Sequence, residues 1–456
     1  MRGIGRRGHA AGTFRRRVTG ATALALLAVA ASGLGPARAS DSVPPAPAPV
    51  VLEPIDAQSS TTAPPTADGV REQIGGLARR GLYDGSIVVL DPATGTVLYS
   101  RAADQPRIPA STTKLATAAA ALHLLGPQTR LPTIAHRDGN TVYLVGGGDP
   151  TLVRAKGGNP LAGGRPSLRD LARSVAADFA SQTRITLVYD ASAFRGAALG
   201  PGWPASFPAA GVAAPVTALV VDGGRVSPGA SRRVADPARQ AATVFADLLR
   251  GQGLEVASVD KGRLSTSATE VARVESAPVS DIVETMLTES ENNYAEALAH
   301  LAGGVLLDKP TFAGGAAATE QVLEQLGIDT AGVDLADGSG LSGRNQVPVR
   351  VLAELLGDVV RGTDPQLAPI APGLAVAGLT GTLADRFATA ATRPGRGFVH
   401  AKTGTLTGVS SLAGTVRDAD GRILVFAMIA NKVTSLVPAR ETMDLIASRL
   451  ATCGCR

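Results

Sequence analysis

The sequence contains few of the residues that bind metals or crosslink small domains. Its 456 residues include two cysteines and five histidines. Cys453 and Cys455 stand close to the C-terminus, where oxidation outside the cytoplasm would close only a very small loop. The histidines are scattered, at positions 9, 123, 136, 300 and 400. This set supplies no plausible structural zinc site, so we expect no metal ion and no other cofactor.

Acidic residues and lysine are missing from residues 1–39, which carry seven arginines. The formal net charge of the whole chain is +5, so the remainder without those seven arginines carries −2. Nucleic-acid binding needs a basic surface that persists in the folded domain. We therefore expect no nucleic-acid partner.

Long apolar runs are also scarce, and the one candidate lies near the start of the chain. An arginine-rich stretch ends at Arg17, an apolar stretch follows over about 18–34, and Ala37-Arg38-Ala39 comes next. This order is typical of a cleaved secretory signal. An uncleaved leader would act as a membrane anchor, although the run is short for a span. In either case we expect the body of the protein outside the cytoplasm.

The region after the leader has the composition of a spacer. From Pro44 to about Asp68 it is rich in Pro, Ala, Ser and Thr, which favours an extended segment without a core. Folded sequence is expected from about Val70. Strands are predicted at 86–90, 96–99, 184–189, 218–221, 398–402, 412–416 and 423–429. Helices are predicted from Ala110 to Leu125 and at 168–179, 237–249, 279–301 (interrupted around 289–293) and 438–450. Helices grouped between β-segments from both ends of the chain indicate an α+β fold.

A serine and a lysine three residues apart begin the first of these helices, in Ser111-Thr-Thr-Lys114. The spacing puts both side chains on one helical face, about one turn apart. A serine hydroxyl becomes a strong nucleophile when a neighbouring base removes its proton, and a lysine with a lowered pKa is such a base. Alone the pattern is weak, because an exposed pair on a helix has the same spacing.

A second motif, Ser290-Glu-Asn292, falls at the interruption between two helical halves. The hydroxyl of Ser290 could relay a proton between the base and a leaving group. The amide of Asn292 both donates and accepts hydrogen bonds, so it can hold a peptide backbone. By itself the tripeptide fits an ordinary turn between helices equally well.

A third motif, Lys402-Thr403-Gly404-Thr405, lies on a predicted edge strand. Gly404 lets a substrate approach the backbone closely. Lys402 and the hydroxyls of Thr403 and Thr405 could hold a carboxylate. The backbone N–H groups of Thr405 and Ser111 could form an oxyanion hole. The alternative is a glycine bulge beside a solvated lysine.

The motifs occur in the order Ser-x-x-Lys, Ser-x-Asn and Lys-Thr-Gly, the set found in penicillin-binding serine enzymes. About 180 residues separate Ser111 from Ser290. With this spacing the chain resembles the D-alanyl-D-alanine carboxypeptidase/endopeptidase family, the class C low-molecular-mass penicillin-binding proteins, which insert extra domains there. Glu291 departs from the family, which more often has aspartate. Flanking segments resemble the family as well, at 108–114, 144–150, 337–342 and 378–382.

The resemblance, which covers about 70–450, implies a penicillin-binding or β-lactamase-like transpeptidase domain. Such a domain has an antiparallel sheet with helices on both sides, and here it would carry a smaller inserted α/β region. We expect five segments: a signal peptide (1–39), a Pro-rich linker (40–69), the first part of the transpeptidase-like domain (70–155), an insert (156–275) and the second part (276–456).

The resemblance also implies an exported serine-type carboxypeptidase/endopeptidase that acts on peptidoglycan stem peptides and is inhibited by β-lactams. Ser111 would be the acylated nucleophile, Lys114 the general base, Ser290 and Asn292 the proton-relay pair, and Lys402 the carboxylate-binding residue. The protein would be secreted, in the cell wall or on the outer face of the cytoplasmic membrane, with membrane association if the leader is uncleaved.

Other interpretations stay open at this point. A β-lactamase would need a carboxylate that positions a deacylating water, and no clear glutamate stands out. A non-catalytic relative would bind peptidoglycan without cleaving it. The run Gly338–Gly343 matches a dinucleotide-binding pattern, but no helix follows it, so we interpret it as a tight loop near the active site. His400 is expected to line a pocket rather than to act as a base.

Overall fold

Strands from both ends of the folded chain meet in one sheet. The computed structural model describes residues 64–82, 84–155, 166–227 and 229–455, so the predicted leader and most of the linker lie outside the described residues. The strands are β1 (Ser86–Asp91), β2 (Thr96–Arg101), β3 (Pro132–Asp138), β4 (Thr141–Gly146), β5 (Arg184–Asp190), β6 (Glu255–Lys261), β7 (Thr269–Glu275), β8 (Ala375–Val376), β9 (Val399–Leu406), β10 (Val409–Arg417) and β11 (Ile423–Ala430).

The helices begin with α1, which Thr66 caps through its side-chain oxygen. They are α1 (Ala67–Gly81), α2 (Lys114–Leu125), α3 (Leu168–Ala176), α4 (Phe207–Ala210), α5 (Pro237–Gly251), α6 (Val279–Thr288), α7 (Asn292–Leu307), α8 (Phe312–Gln325), α9 (Val349–Arg361), α10 (Ile370–Gly373) and α11 (Leu436–Ala451). Of the helices in the described part of the chain, none combines the length and the hydrophobicity that crossing a membrane requires.

The first sheet is antiparallel, in the order β2-β1-β11-β10-β9-β8, and is buried on both faces. Side chains alternate between faces along a strand, so a doubly covered strand reads as a continuous apolar run. In β1, Val88 and Leu90 belong to the core that residues of α2, α6, α7 and α9 form on one face, whereas Ile87 and Val89 belong to the core that residues of α1 and α11 form on the other. The prediction of an α+β fold with helices on both sides of an antiparallel sheet is confirmed.

The second sheet has the order β6-β5-β4-β3-β7 and is mixed. Strands β4, β5 and β6 pair in parallel, β3 pairs antiparallel with β4 and β7, and α3 and α5 pack against the sheet. Strands β3 and β4 belong to this sheet, although the expected insert began only at residue 156. The hairpin carries no sequence signal that specifies which sheet it joins, so the expected boundary fell after it.

Residues 218–221 were predicted as a strand and do not form one. Leu219 and Val221 are buried in the core of the second sheet, while the carbonyl of Ala218 accepts a single hydrogen bond from Gly148. The apolar, β-branched run therefore reflects burial of side chains without a strand ladder.

Candidate active site

The first motif forms a tight turn that leads into α2. Residues Ala110–Thr113 make one 3-10 turn, and α2 begins at Lys114. The hydroxyls of Thr112 and Thr113 donate to the carbonyls of Pro109 (2.7 Å) and Ala110 (2.9 Å), which fixes the turn from within. Ser111 and Lys114 consequently lie on the same side of the helix start.

The ammonium of Lys114 joins two motifs. Its Nζ donates to Ser111 Oγ at 3.1 Å, to Asn292 Oδ1 at 2.8 Å and to the carbonyl of Ser339 at 2.7 Å. A nitrogen with three acceptors has a fixed position, and one of the three is the hydroxyl that a base would deprotonate.

Burial changes the proton affinity of this lysine. Lys114 has no exposed surface, and loss of hydration lowers its pKa to about 8. The charges of Glu296, Asp337 and Glu291 oppose that shift. A lysine with this pKa is neutral often enough near neutral pH to accept a proton.

The second motif lies in the break between α6 and α7. Ser290 has φ of +60°, a left-handed conformation that turns the chain between the two helices. Its hydroxyl makes no hydrogen bond with another residue of the described chain. The Nδ2 of Asn292 donates to the carbonyl of Val212 (2.8 Å), which orients Oδ1 towards Lys114.

The third motif lies on β9, directly beside the turn that carries Ser111. A Cβ atom on Gly404 would stand 2.7 Å from the carbonyl oxygen of Pro109 and 3.0 Å from the backbone nitrogen of Ser111. The hydroxyl of Ser411 on β10 donates to the same carbonyl at 2.6 Å. Only glycine lets the strand come this close to Ser111.

Lys402 is the second fully buried lysine of the site. Its Nζ donates to the carbonyl of Thr403 at 3.0 Å. Burial lowers its pKa well below the usual value, and the charge of Lys114 lowers it further. An anion bound between these two cations would offset both the desolvation of Lys402 and the repulsion between the two lysine charges.

The threonine hydroxyls of the third motif already have partners. Thr403 Oγ1 donates to Thr382 Oγ1 (2.8 Å), and Thr405 Oγ1 accepts from Arg440 on α11 (3.0 Å). Arg440 therefore adds a cation beside the predicted carboxylate site, and the sequence reasoning did not identify it.

A loop centred on Asp337 completes the surroundings of Lys114. Its Oδ1 accepts from the backbone of Gly340 (2.8 Å) and from Asn345 Nδ2 (2.7 Å). Its Oδ2 accepts from the backbone of Ser342 (2.6 Å) and from Trp203 Nε1 (2.7 Å). This is the glycine-rich run that we interpreted as a tight loop near the active site. The resemblance of residues 337–342 to the family indicated this loop, but the sequence analysis assigned no role to Asp337.

The eight predicted site residues differ in how directly they contact one another. Lys114 touches Ser111 and Asn292, Gly404 lies against Ser111, and Lys402 is close enough for the two lysine charges to interact. Ser290 stands two residues before Asn292, in the break between α6 and α7. The remaining two, Thr403 and Thr405, follow Lys402 along β9.

Comparisons with known proteins agree on one group. The model of the D-Ala-D-Ala carboxypeptidase 3 (S13) family matches residues 83–230 and 227–452. Carboxypeptidase DacB of Mycolicibacterium smegmatis is 36% identical over 447 residues, 95% of each chain. The D-alanyl-D-alanine carboxypeptidase of Actinomadura sp. (strain R39) is 31% identical over 460 residues, 84% of each chain.

A solved structure extends the likeness to the fold. Penicillin binding protein 4 (dacB) from Haemophilus influenzae superimposes with a TM-score of 0.68 at 20% identity, covering 84% of this chain and 97% of that one. The same protein is also solved in complex with a β-lactam, with a TM-score of 0.64. At this identity the likeness establishes the fold.

Proposed function

This chain belongs to the D-Ala-D-Ala carboxypeptidase 3 (S13) family, and on that basis we propose that it is an exported serine-type D-alanyl-D-alanine carboxypeptidase/endopeptidase. Its substrates are peptidoglycan stem peptides that end in D-Ala-D-Ala, and β-lactams acylate it. Catalysis proceeds through an acyl-enzyme on Ser111.

One observation carries the proposal. A single buried nitrogen, Lys114 Nζ, lies within hydrogen-bond distance of both Ser111 Oγ and Asn292 Oδ1, and β9 runs against the same turn. A base of lowered pKa beside a hydroxyl is the arrangement that nucleophilic acyl transfer needs.

Substrate binding depends on charge. The terminal carboxylate of the peptide docks on Lys402, assisted by the hydroxyls of Thr403 and Thr405. This places the carbonyl of the penultimate D-Ala beside Ser111. The backbone N–H groups of Ser111 and Thr405 stabilise the oxyanion that forms there.

The reaction then proceeds in two steps, acylation of Ser111 and hydrolysis of the acyl-enzyme. Lys114 accepts the proton of Ser111 Oγ, a C–O bond forms, and the tetrahedral intermediate collapses as the C–N bond breaks. Ser290 donates its hydroxyl proton to the leaving amine of the terminal D-Ala and regains a proton from Lys114. Water then cleaves the ester, releasing the shortened peptide and restoring the hydroxyl of Ser111. With an endopeptide substrate, the leaving amine belongs to a crosslinked neighbour.

Intact-protein mass spectrometry after incubation with benzylpenicillin tests the assignment. We expect the mass to rise by one penicilloyl group on Ser111, and Ser111→Ala to lose the adduct with an unchanged melting temperature, because only one oxygen is removed. An adduct that persists in Ser111→Ala would refute the nucleophile. The same spectrum of exported protein reports whether the leader is removed; if it is retained, the protein is membrane-associated.

Two rival functions are separated by turnover assays. Sustained hydrolysis of nitrocefin would favour a β-lactamase, and binding of a pentapeptide without D-alanine release would favour a non-catalytic relative. The buried carboxyl of Glu296 accepts two backbone N–H groups and has no exposed surface, which argues against its positioning a deacylating water.

A further inference from the structure

A buried carboxyl lies directly behind the base and has no part in the reaction described above. Glu296 stands four residues after Asn292 on α7, so the two side chains lie on one helical face. Glu296 has no exposed surface. Burying a carboxyl is costly unless its oxygens are hydrogen-bonded, so its partners indicate its purpose.

Those partners belong to the loop that holds the base. Glu296 Oε1 accepts from the backbone N–H of Ser339 at 2.8 Å, and Oε2 accepts from that of Gly338 at 3.1 Å. The carbonyl of Gly338 accepts from Thr117 on α2 (2.7 Å), and the carbonyl of Ser339 accepts from Lys114 (2.7 Å). A continuous chain of hydrogen bonds therefore runs from carboxyl to loop to ammonium.

We propose that Glu296 is a positioning residue for the reaction: by binding the backbone of Gly338 and Ser339, it aims the Ser339 carbonyl at Lys114 and keeps Nζ within reach of Ser111. This inference rests on the proposed role of Lys114 as the base. Without the carboxyl, the two amides lose their acceptors and the loop is free to shift. A displacement of about 1 Å in such a contact costs up to about a hundredfold in rate.

The same carboxyl acts on Lys114 through its charge. Burial and then the charge of Asp337 raise the pKa of Glu296 to about 8, against the hydrogen bonds from Gly338 and Ser339, which lower it. When ionised, Glu296 raises the pKa of Lys114, as do Asp337 and Glu291, while the charge of Lys402 acts in the opposite direction. His300 on α7 contacts the backbone carbonyl of Glu296, and burial holds its pKa at about 4, so it is neutral here.

Glu296→Gln tests the proposal, with Glu320→Gln as the matched control. Glu320 is a half-buried acid on α8 that accepts a backbone N–H from Leu335 (2.7 Å), the same type of bond away from the base. We expect Glu296→Gln to slow acylation by benzylpenicillin about ten- to a hundredfold. Its acidic pH limb should also move to lower pH, because the ionised form of Glu296 favours the ammonium and glutamine cannot ionise. Glu320→Gln should leave rate and pH profile unchanged.

Three results decide the matter. A Glu296→Gln enzyme that acylates at the normal rate with an unmoved pH limb overturns the proposal, whatever its melting temperature. If Glu296→Gln does not fold, Glu296→Asp replaces it, because aspartate keeps the carboxyl group on a shorter side chain. We expect Glu296→Asp to be acylated more slowly, with a nearly normal pH limb. Acylation of this variant at the normal rate also overturns the proposal. Failure of Ser111 to be labelled in the unaltered enzyme would instead refute the proposed function.

Discussion

Gly404→Ala probes the close approach between β9 and the turn that carries Ser111. Ordinary van der Waals contact begins at 3.4 Å, and a Cβ on this residue would lie 2.7 Å from the carbonyl oxygen of Pro109, a shortfall of 0.7 Å. The Cβ would come nearer still to Ser411 Oγ, which is hydrogen-bonded to that carbonyl. The carbonyl oxygen is backbone and cannot rotate away, so β9 must move away from the turn of Ser111. Overpacking of this kind costs about 1–3 kcal/mol of stability. A shift approaching 1 Å between nucleophile and oxyanion donor costs about tenfold to a hundredfold in rate.

The assay is the second-order rate of acylation by a fluorescent penicillin, with the melting temperature measured in parallel. Gly343→Ala is the control, because a Cβ there has no neighbour within 4 Å and the residue is exposed. We expect Gly343→Ala to react normally and Gly404→Ala to react at least about tenfold more slowly while remaining folded. A folded Gly404→Ala enzyme that acylates at the unaltered rate would show that the strand and the turn are not in contact.

Two further predictions follow from the charges and hydrogen bonds around the base. The rate of acylation should rise with pH up to about 8 and then level off, because the neutral amine of Lys114 is the proposed base. A pH-independent rate over this range contradicts the proposal that Lys114 is the base. Trp203→Phe keeps the ring contacts with Phe207 and Phe312 but removes the hydrogen bond to Asp337. Urea unfolding should show a loss of about 1.5–3 kcal/mol, and a negligible loss would mean that this bond does not brace the loop.

The sequence could predict those contacts that are local in the chain. Ser111 and Lys114 meet because three residues of helix bring them to one side, and strands β1 and β11 of the first sheet are visible in their apolar runs. The meeting of Lys114 with Asn292 spans 178 residues, and only the resemblance to a family suggested it. Nothing in a local pattern tells which sheet a hairpin joins, as β3 and β4 show.

Two buried acidic residues of the site, Glu296 and Asp337, were not identified from the sequence. Glu296 and Asp337 look like ordinary surface residues in a sequence, because the cost of burying a carboxyl is offset by donors that the local pattern does not reveal. Those of Glu296 are backbone N–H groups, and Asp337 has the side chains of Asn345 and Trp203 besides two backbone N–H groups. For Glu296 one signal was present, its spacing of four residues from Asn292 on a predicted helix. For Asp337 the nearby glycines indicated a tight loop, since Gly340 has φ of +81° and lies against the carbonyl of Ala110.

The residues expected to form an insert contribute directly to the surroundings of the base. Trp203 donates to Asp337, and the carbonyl of Pro201 accepts from Ser342 at 2.6 Å, so residues 201–203 hold the loop from its outer side. Residues 212–214 hold the second motif in the same way, since Val212 accepts from Asn292 and Ala214 exchanges two hydrogen bonds with the side chain of Asn293. Lys114 has two hydrogen-bond partners outside its own turn, Asn292 and the carbonyl of Ser339. Residues 201–214 therefore hold both the second motif and the loop of Ser339 in place. Removing this region would leave a buried carboxylate and a half-buried amide short of partners, which is costly in a packed interior. The long spacing between Ser111 and Ser290 thus accommodates a segment on which the geometry of the base depends.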